Sequence, residues 1–98
     1  MIGVNVTFDY SDDFDRARVI AVAENARGMF EGMPGLRCKF FTLDDTHHRA
    51  TNFYVYDSKE AAENFFSDEL RERVTALYGV PPTIDFVEIA QMVDNSSS

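Results

Sequence analysis

The stretch from Leu36 to Asp57, LRCKFFTLDDTHHRATNFYVYD, constrains this chain more than any other. Two runs alternate residue by residue around a short polar turn, which is the pattern of a β-hairpin. Centring the turn on Asp45 to His48 sets Asp44 opposite Arg49, Phe41 opposite Asn52 and Lys39 opposite Tyr54. In that register Leu36, Cys38, Phe40, Thr42, Thr51, Phe53 and Val55 share one face. Arg37, Lys39, Phe41, Leu43, Ala50, Asn52, Tyr54 and Tyr56 share the other. A slip of one residue would exchange the faces of a strand, so the register governs everything built on it.

The flanking segments complete a β-α-β-β-α-β order. Met1 to Tyr10 alternates as a half-buried strand, with Ile2, Val4, Val6 and Phe8 on one side and Gly3, Asn5, Thr7 and Asp9 on the other. Ser11 to Asp15 offers short polar caps and carboxylates suited to a helix start. From about Asp13 to Gly32 the period turns helical, with Val19, Val22, Ala23, Ala26, Met29 and Phe30 on one face. Gly32, Pro34 and Gly35 stop it. Asp57 and Ser58 open a second helix, with Glu60 placed for a capping box on Asp57. Its stripe runs through Ala62, Phe66, Leu70, Val74 and Leu77, and Ser67-Asp68-Glu69 predicts a bend or a second helix start. Glu69 and Arg73 are spaced for a weak surface pair. After Gly79 and Pro81-Pro82, Thr83 to Met92 reads as a last strand whose inward face composition leaves open.

This order predicts an α+β, ferredoxin-like fold: a four-stranded antiparallel sheet with both helices on one face. A single domain is expected over residues 1–94, with 95–98 a disordered polar tail. We expect Leu36, Cys38, Phe40, Phe53 and Val55 to face the helices as ordinary core. Phe41, Leu43, Tyr54 and Tyr56 then fall on the uncovered side, a patch too apolar for a monomer. A homodimer packed sheet against sheet would bury it, and sheets standing apart would enclose a pocket.

Charge narrows the partners. A formal charge of −8, with nine basic residues among seventeen acids, supplies no stripe for a phosphate backbone or an anionic membrane. No nucleic-acid or membrane partner is expected. The start lacks the charged and apolar regions of a signal peptide, and no apolar run approaches a membrane span, so the expectation is a soluble, cytoplasmic protein. Cys38 is the only cysteine, which excludes an internal disulfide. Asp44, Asp45, His47 and His48 bring metal-binding residue types to one turn, but neighbours on a turn diverge, and no metal is assigned.

The run PGLRCKFFTLDD…ATNFYVYDSKEAAENF resembles the YdhR-like monooxygenases of the dimeric α+β-barrel superfamily, which also holds antibiotic-biosynthesis monooxygenases. Pro34, Gly35, Lys39, Phe41, Thr42, Tyr54, Asp57 and Ala61 carry the likeness. Cys38 and Phe41 stand where such proteins often have Trp. The resemblance implies a cofactor-independent oxygenase acting on a small aromatic or quinone-type substrate, which itself supplies the electron-rich carbanion that meets oxygen. It implies that Tyr54, Asn52 and Lys39 are catalytic: Asn52 or Asn5 binding a substrate carbonyl, Tyr54 orienting or protonating, Lys39 stabilising a phenolate. Asn5, Thr7, Phe41, Leu43 and Tyr56 would line the substrate space between the sheets. No cofactor is implied. A dimer that binds a small apolar or aromatic molecule without turnover, or a purely structural dimer, fits the same residues.

Overall fold

The structure is a computed structural model of the chain and describes residues 1–96. The expected tail therefore falls, at residues 97 and 98, outside the described residues. The elements are β1 (Ile2–Asp9), α1 (Arg16–Phe30), β2 (Leu36–Asp44), β3 (Arg49–Tyr56), α2 (Lys59–Phe65), α3 (Asp68–Tyr78) and β4 (Thr83–Glu88), with a short 3-10 turn at Ser11–Asp13. All strand pairs are antiparallel and the sheet order is β2-β3-β1-β4. This is the ferredoxin-like α+β arrangement.

Local chemistry sets the boundaries. Asp15 caps α1 by accepting from the Arg18 amide at 3.2 Å. Ser58, not Asp57, caps α2, accepting from the Ala61 amide at 3.1 Å. Ser67 caps α3 in the same way through the Leu70 amide, so the second helical region is two helices in succession. Gly79 ends α3 in a left-handed conformation, φ 87°, and its N–H closes onto the Thr75 carbonyl. None of the described helices is long and apolar enough to cross a membrane.

The hairpin register is as expected: Asp44 faces Arg49, Phe41 faces Asn52 and Lys39 faces Tyr54. Its faces are reversed. β1 decides this, because residues directly opposite in an antiparallel pair share a face. Val4 lies opposite Tyr54, Val6 opposite Asn52 and Phe8 opposite Ala50. The buried stripe of β1 therefore draws Asn52, Tyr54 and Tyr56 beneath the helices, together with Leu43 and, from β4, Ile84 and Phe86. Cys38, Phe40, Phe53 and Val55, expected as core under the helices, lie on the opposite side. Leu36 parts from them because a bulge at Arg37 shifts the register, setting Leu36 against Tyr56 and Cys38 against Val55. Leu36 thus packs on the helix-covered core after all.

The uncovered face is organised around Gly3. A Cβ there would sit 2.9 Å from both Phe53 Cζ and Val87 Cγ2, so glycine lets the Phe53 ring lie across β1. Phe40 projects from this face 56% exposed.

Candidate functional site

The helices do not close completely on the sheet. A cavity of about 530 Å³ remains between them, floored by Val6, Asn52 and Tyr54 and walled by Phe30, Phe66 and Leu70. The volume is that of a small-molecule site, and the walls are largely apolar with a few polar groups directed inward. Met29 and Leu77, both exposed on their helices, stand among its lining residues. Met29 was expected in the core stripe of α1; here it borders the cavity.

Lys39 enters this space from β2. Its Nζ lies 3.3 Å from the centroid of the Phe30 ring, 4.0 Å from Phe41 and 4.3 Å from Tyr54. Loss of solvation lowers its pKa to about 7. Three aromatic faces favour the ammonium form, and no ion pair among the described residues involves Lys39. The amine is accordingly poised between its two protonation states near neutral pH.

Asn52 sits at the centre of the sheet, 4% exposed. Its Nδ2 donates to the Tyr78 Oη at 2.9 Å. Tyr78 in turn stacks flat on Phe8, with centroids 3.9 Å apart and an interplanar angle of 3°. Sequence reasoning missed Tyr78, although Leu70, Val74 and Tyr78 follow one another at intervals of four, which puts them on one helix face. Asn52 and Tyr78 also border a second void of about 170 Å³, lined by Phe41 and Leu43. The bonded pair stands between the two spaces.

Burial pushes the phenols of Tyr54, Tyr56 and Tyr78 above their ordinary range, and for Tyr54 the neighbouring Tyr78 and Tyr56 add to the effect. Such hydroxyls stay protonated through neutral pH and act as hydrogen-bond or proton donors rather than bases. Arg73 lines the cavity from α3. Its expected ion pair with Glu69 is not among those of the described residues.

The expected site residues thus divide. Lys39, Asn52 and Tyr54 meet in one cavity, but it lies between the helices and the sheet of one chain, not between two sheets. Phe41 and Leu43 border the smaller void. Tyr56 is buried, and its hydroxyl donates to Met33 Sδ at 3.8 Å, away from the cavity lining. Asn5 and Thr7 lie on the opposite face from Asn52 and Tyr54, since their direct partners are Phe53 and Thr51. In the hairpin turn His47 Nδ1 contacts Asp44 Oδ2 at 2.7 Å, while the His48 ring stacks on Phe14 and bonds the Ser11 carbonyl. The two imidazoles diverge.

No family profile matches the sequence, and no curated protein matches it. Solved structures do resemble it. The monooxygenase from the gene ActVA-Orf6 of Streptomyces coelicolor, in complex with nanaomycin D, aligns with a TM-score of 0.71 at 22% identity, over 97% of this chain and 92% of that one. A protein of unknown function from Nitrosomonas europaea gives 0.73 at 13% identity, over 98% and 95% of the two chains. A mutant of SnoaB, a cofactor-independent oxygenase from Streptomyces nogalater, gives 0.65 at 14% identity, over 94% of each. The likeness is one of fold, which the chain shares with these structures and with an antibiotic biosynthesis monooxygenase assigned in Deinococcus radiodurans.

Proposed function

We propose that this protein is a cofactor-independent monooxygenase-like enzyme that binds a small aromatic or quinone-type substrate in the cavity between its helices and its sheet. One observation carries the reading: Lys39, Asn52, Tyr54 and Tyr78 converge on a single apolar cavity of about 530 Å³. The structural neighbours that are a cofactor-independent oxygenase and a monooxygenase holding nanaomycin D support it. Within that group, the run from Pro34 to Phe65 aligns the chain with the YdhR-like branch.

In this reading Asn52 binds a substrate oxygen and Lys39 stabilises the phenolate or enolate formed when the substrate loses a proton. The resulting carbanion reduces oxygen to a carbon-bound peroxide. Tyr54 donates a proton as the O–O bond breaks, and a ring CH₂ becomes C=O with release of one water. Phe40, Phe53 and Val87 on the uncovered face form the contact with a second copy in a homodimer, outside the substrate space.

The test is oxygen uptake with a panel of anthrones, whose ring CH₂ the step requires, without added flavin, haem or metal. One oxygen consumed per quinone formed, abolished in Asn52→Ala, is the expected result. No turnover above buffer across the panel overturns the enzyme. Ligands that raise the melting temperature without forming product would instead identify a binding protein, because binding only the folded state raises apparent stability.

A further inference from the structure

The chain has only two lysines, and the fold gives them opposite surroundings. Lys59 is exposed in the first turn of α2, 3.6 Å from Glu63. Lys39 lines the cavity, its amine held against the rings of Phe30 and Tyr54 there and of Phe41 beside it. We propose that the cavity captures small aromatic aldehydes or ketones as a reversible imine on the Lys39 amine.

The geometry meets each requirement of that chemistry. Imine formation needs an unprotonated amine, a carbonyl brought to it, and a proton donor to release water. The nitrogen lies over the rings of Phe30, Phe41 and Tyr54, and the apolar cavity beside it, walled also by Phe65 and Phe66, offers surface for an aromatic carbonyl compound. Among the described residues no carboxylate pairs with the amine. Arg27 of α1 and Glu31 just beyond its end, which share an outer groove with Lys39, are paired with each other at 3.2 Å. Arg37 of β2, in the same groove, lies 3.7 Å from Asp57. From α3, Arg73 adds only a further positive charge to the cavity. Lost solvation favours the neutral amine and outweighs the pull of the ring faces toward the ammonium. A pKa of about 7 leaves roughly half of Lys39 unprotonated at neutral pH. An ordinary lysine, near 10.4, is unprotonated in fewer than about one molecule in a thousand.

The step balances without an oxidant or cofactor. The Nζ lone pair attacks the carbonyl carbon, and the C=O π electrons move to oxygen, which takes a proton. The carbinolamine loses that oxygen as water while nitrogen gives up its protons, leaving C=N. Tyr54, protonated and with its ring 4.3 Å from the amine, is the donor we assign to the departing water, and it recovers its proton from the nitrogen as C=N forms. Neither oxygen nor turnover enters, so this inference stands or falls separately from the oxygenase reading.

The test traps the imine. The full chain is incubated with 2-naphthaldehyde and sodium cyanoborohydride at pH 7, and the reduced adduct is located by peptide mapping. Lys39 should be labelled at least about tenfold more than Lys59, since the fraction of free amine differs by still more. Naphthalene-2-methanol, which fills the cavity but has no carbonyl, should suppress labelling at Lys39 and leave Lys59 and the Met1 amine unchanged. Lys39→Arg should remove the cavity adduct alone. Equal labelling of the two lysines, or labelling of Lys39 that ignores the competitor, overturns the proposal. Because the competition uses the unmutated chain, it decides the question even where the variant does not fold.

Discussion

The two faces of the sheet invert a common assumption about polarity. Beneath the helices lie the fully buried Val4, Phe8 and Tyr56, yet also Lys39 and Asn52. The uncovered side carries Phe40, Phe53 and Val87 beside small polar residues such as Asn5, Thr7 and Thr51, with Val55 already buried among its neighbours. Polar groups belong inside where a void and a hydrogen-bond partner receive them, and apolar groups can remain outside where a second surface is to cover them. The difference between the faces is therefore one of partners: one has its helices and a cavity within the same chain, the other has none.

The largest expected effect is on the covered face. Phe8 is completely buried and stacked on Tyr78, so Phe8→Ala removes a ring from a closed site and leaves a cavity. A loss of about 3–5 kcal/mol is expected, read as a lower midpoint in urea unfolding followed by circular dichroism. A loss below about 1 kcal/mol would mean that Phe8 and Tyr78 are not packed as described. On the proposed oxygenase reading, turnover should fall as well, because Tyr78 loses the surface that holds it in plane.

Asn52 tests whether polar burial on this face is organised or incidental. In Asn52→Ala the Tyr78 hydroxyl keeps its burial and loses its partner, which costs about 1–3 kcal/mol. Tyr78→Phe removes the other half of the bond, leaves the buried Asn52 amide without that partner, and should cost a similar amount, about 1–3 kcal/mol. The double variant should be less destabilised than the sum, since neither group is then left unpaired. Strict additivity in that cycle would show that the two side chains do not interact.

Much of the frame is legible from the residues alone. Alternation located the strands, the change to a helical period located the helices, and the pairing of Asp44 with Arg49 followed from the turn. The face of the hairpin was not legible, and the reason is specific. Each of its strands has an apolar set on both sides, so composition favours neither. The deciding contact is Val4 opposite Tyr54, a pairing of strands about fifty residues apart that no local pattern encodes. The same gap misplaced Asn5 and Thr7, which stand one position out of phase with the buried stripe of β1. Lys39, Asn52 and Tyr54 were recognised as a group because the hairpin register is local. Tyr78 joins them only through tertiary packing.

The pH dependence of folding separates Lys39 from the rest of the covered face. Its pKa falls from 10.5 to about 7 in the folded chain, so the folded state binds fewer protons than the unfolded state between those values. Stability must then rise with pH above about 7, by at most about 1.4 kcal/mol per pH unit for one proton. Below pH 7 both states are protonated and the full penalty of the buried ammonium is present. The buried tyrosines act in the opposite direction only as pH approaches 10, where unfolded phenols ionise first. Melting temperatures between pH 7 and 9 should therefore climb, and Lys39→Met should flatten the climb. An unchanged slope in that variant would assign the effect to another group.

Phe40 supplies the counterpart to Phe8 and the smallest effect. Both are strand phenylalanines, but Phe8 is completely buried and Phe40 is 56% exposed. Truncation to alanine leaves no cavity, and in the monomer the loss should stay within about 0.5 kcal/mol. Measuring unfolding at low protein concentration isolates that term from association. At higher concentration the same variant should weaken self-association by tenfold or more, since an exposed aromatic at the middle of an interface commonly contributes above about 1–2 kcal/mol. Sedimentation equilibrium on the unmutated chain and on Phe40→Ala reads this directly. If both remain monomeric at micromolar concentration, the uncovered face has no partner in a second copy, and the contrast between the two faces reduces to one of burial alone.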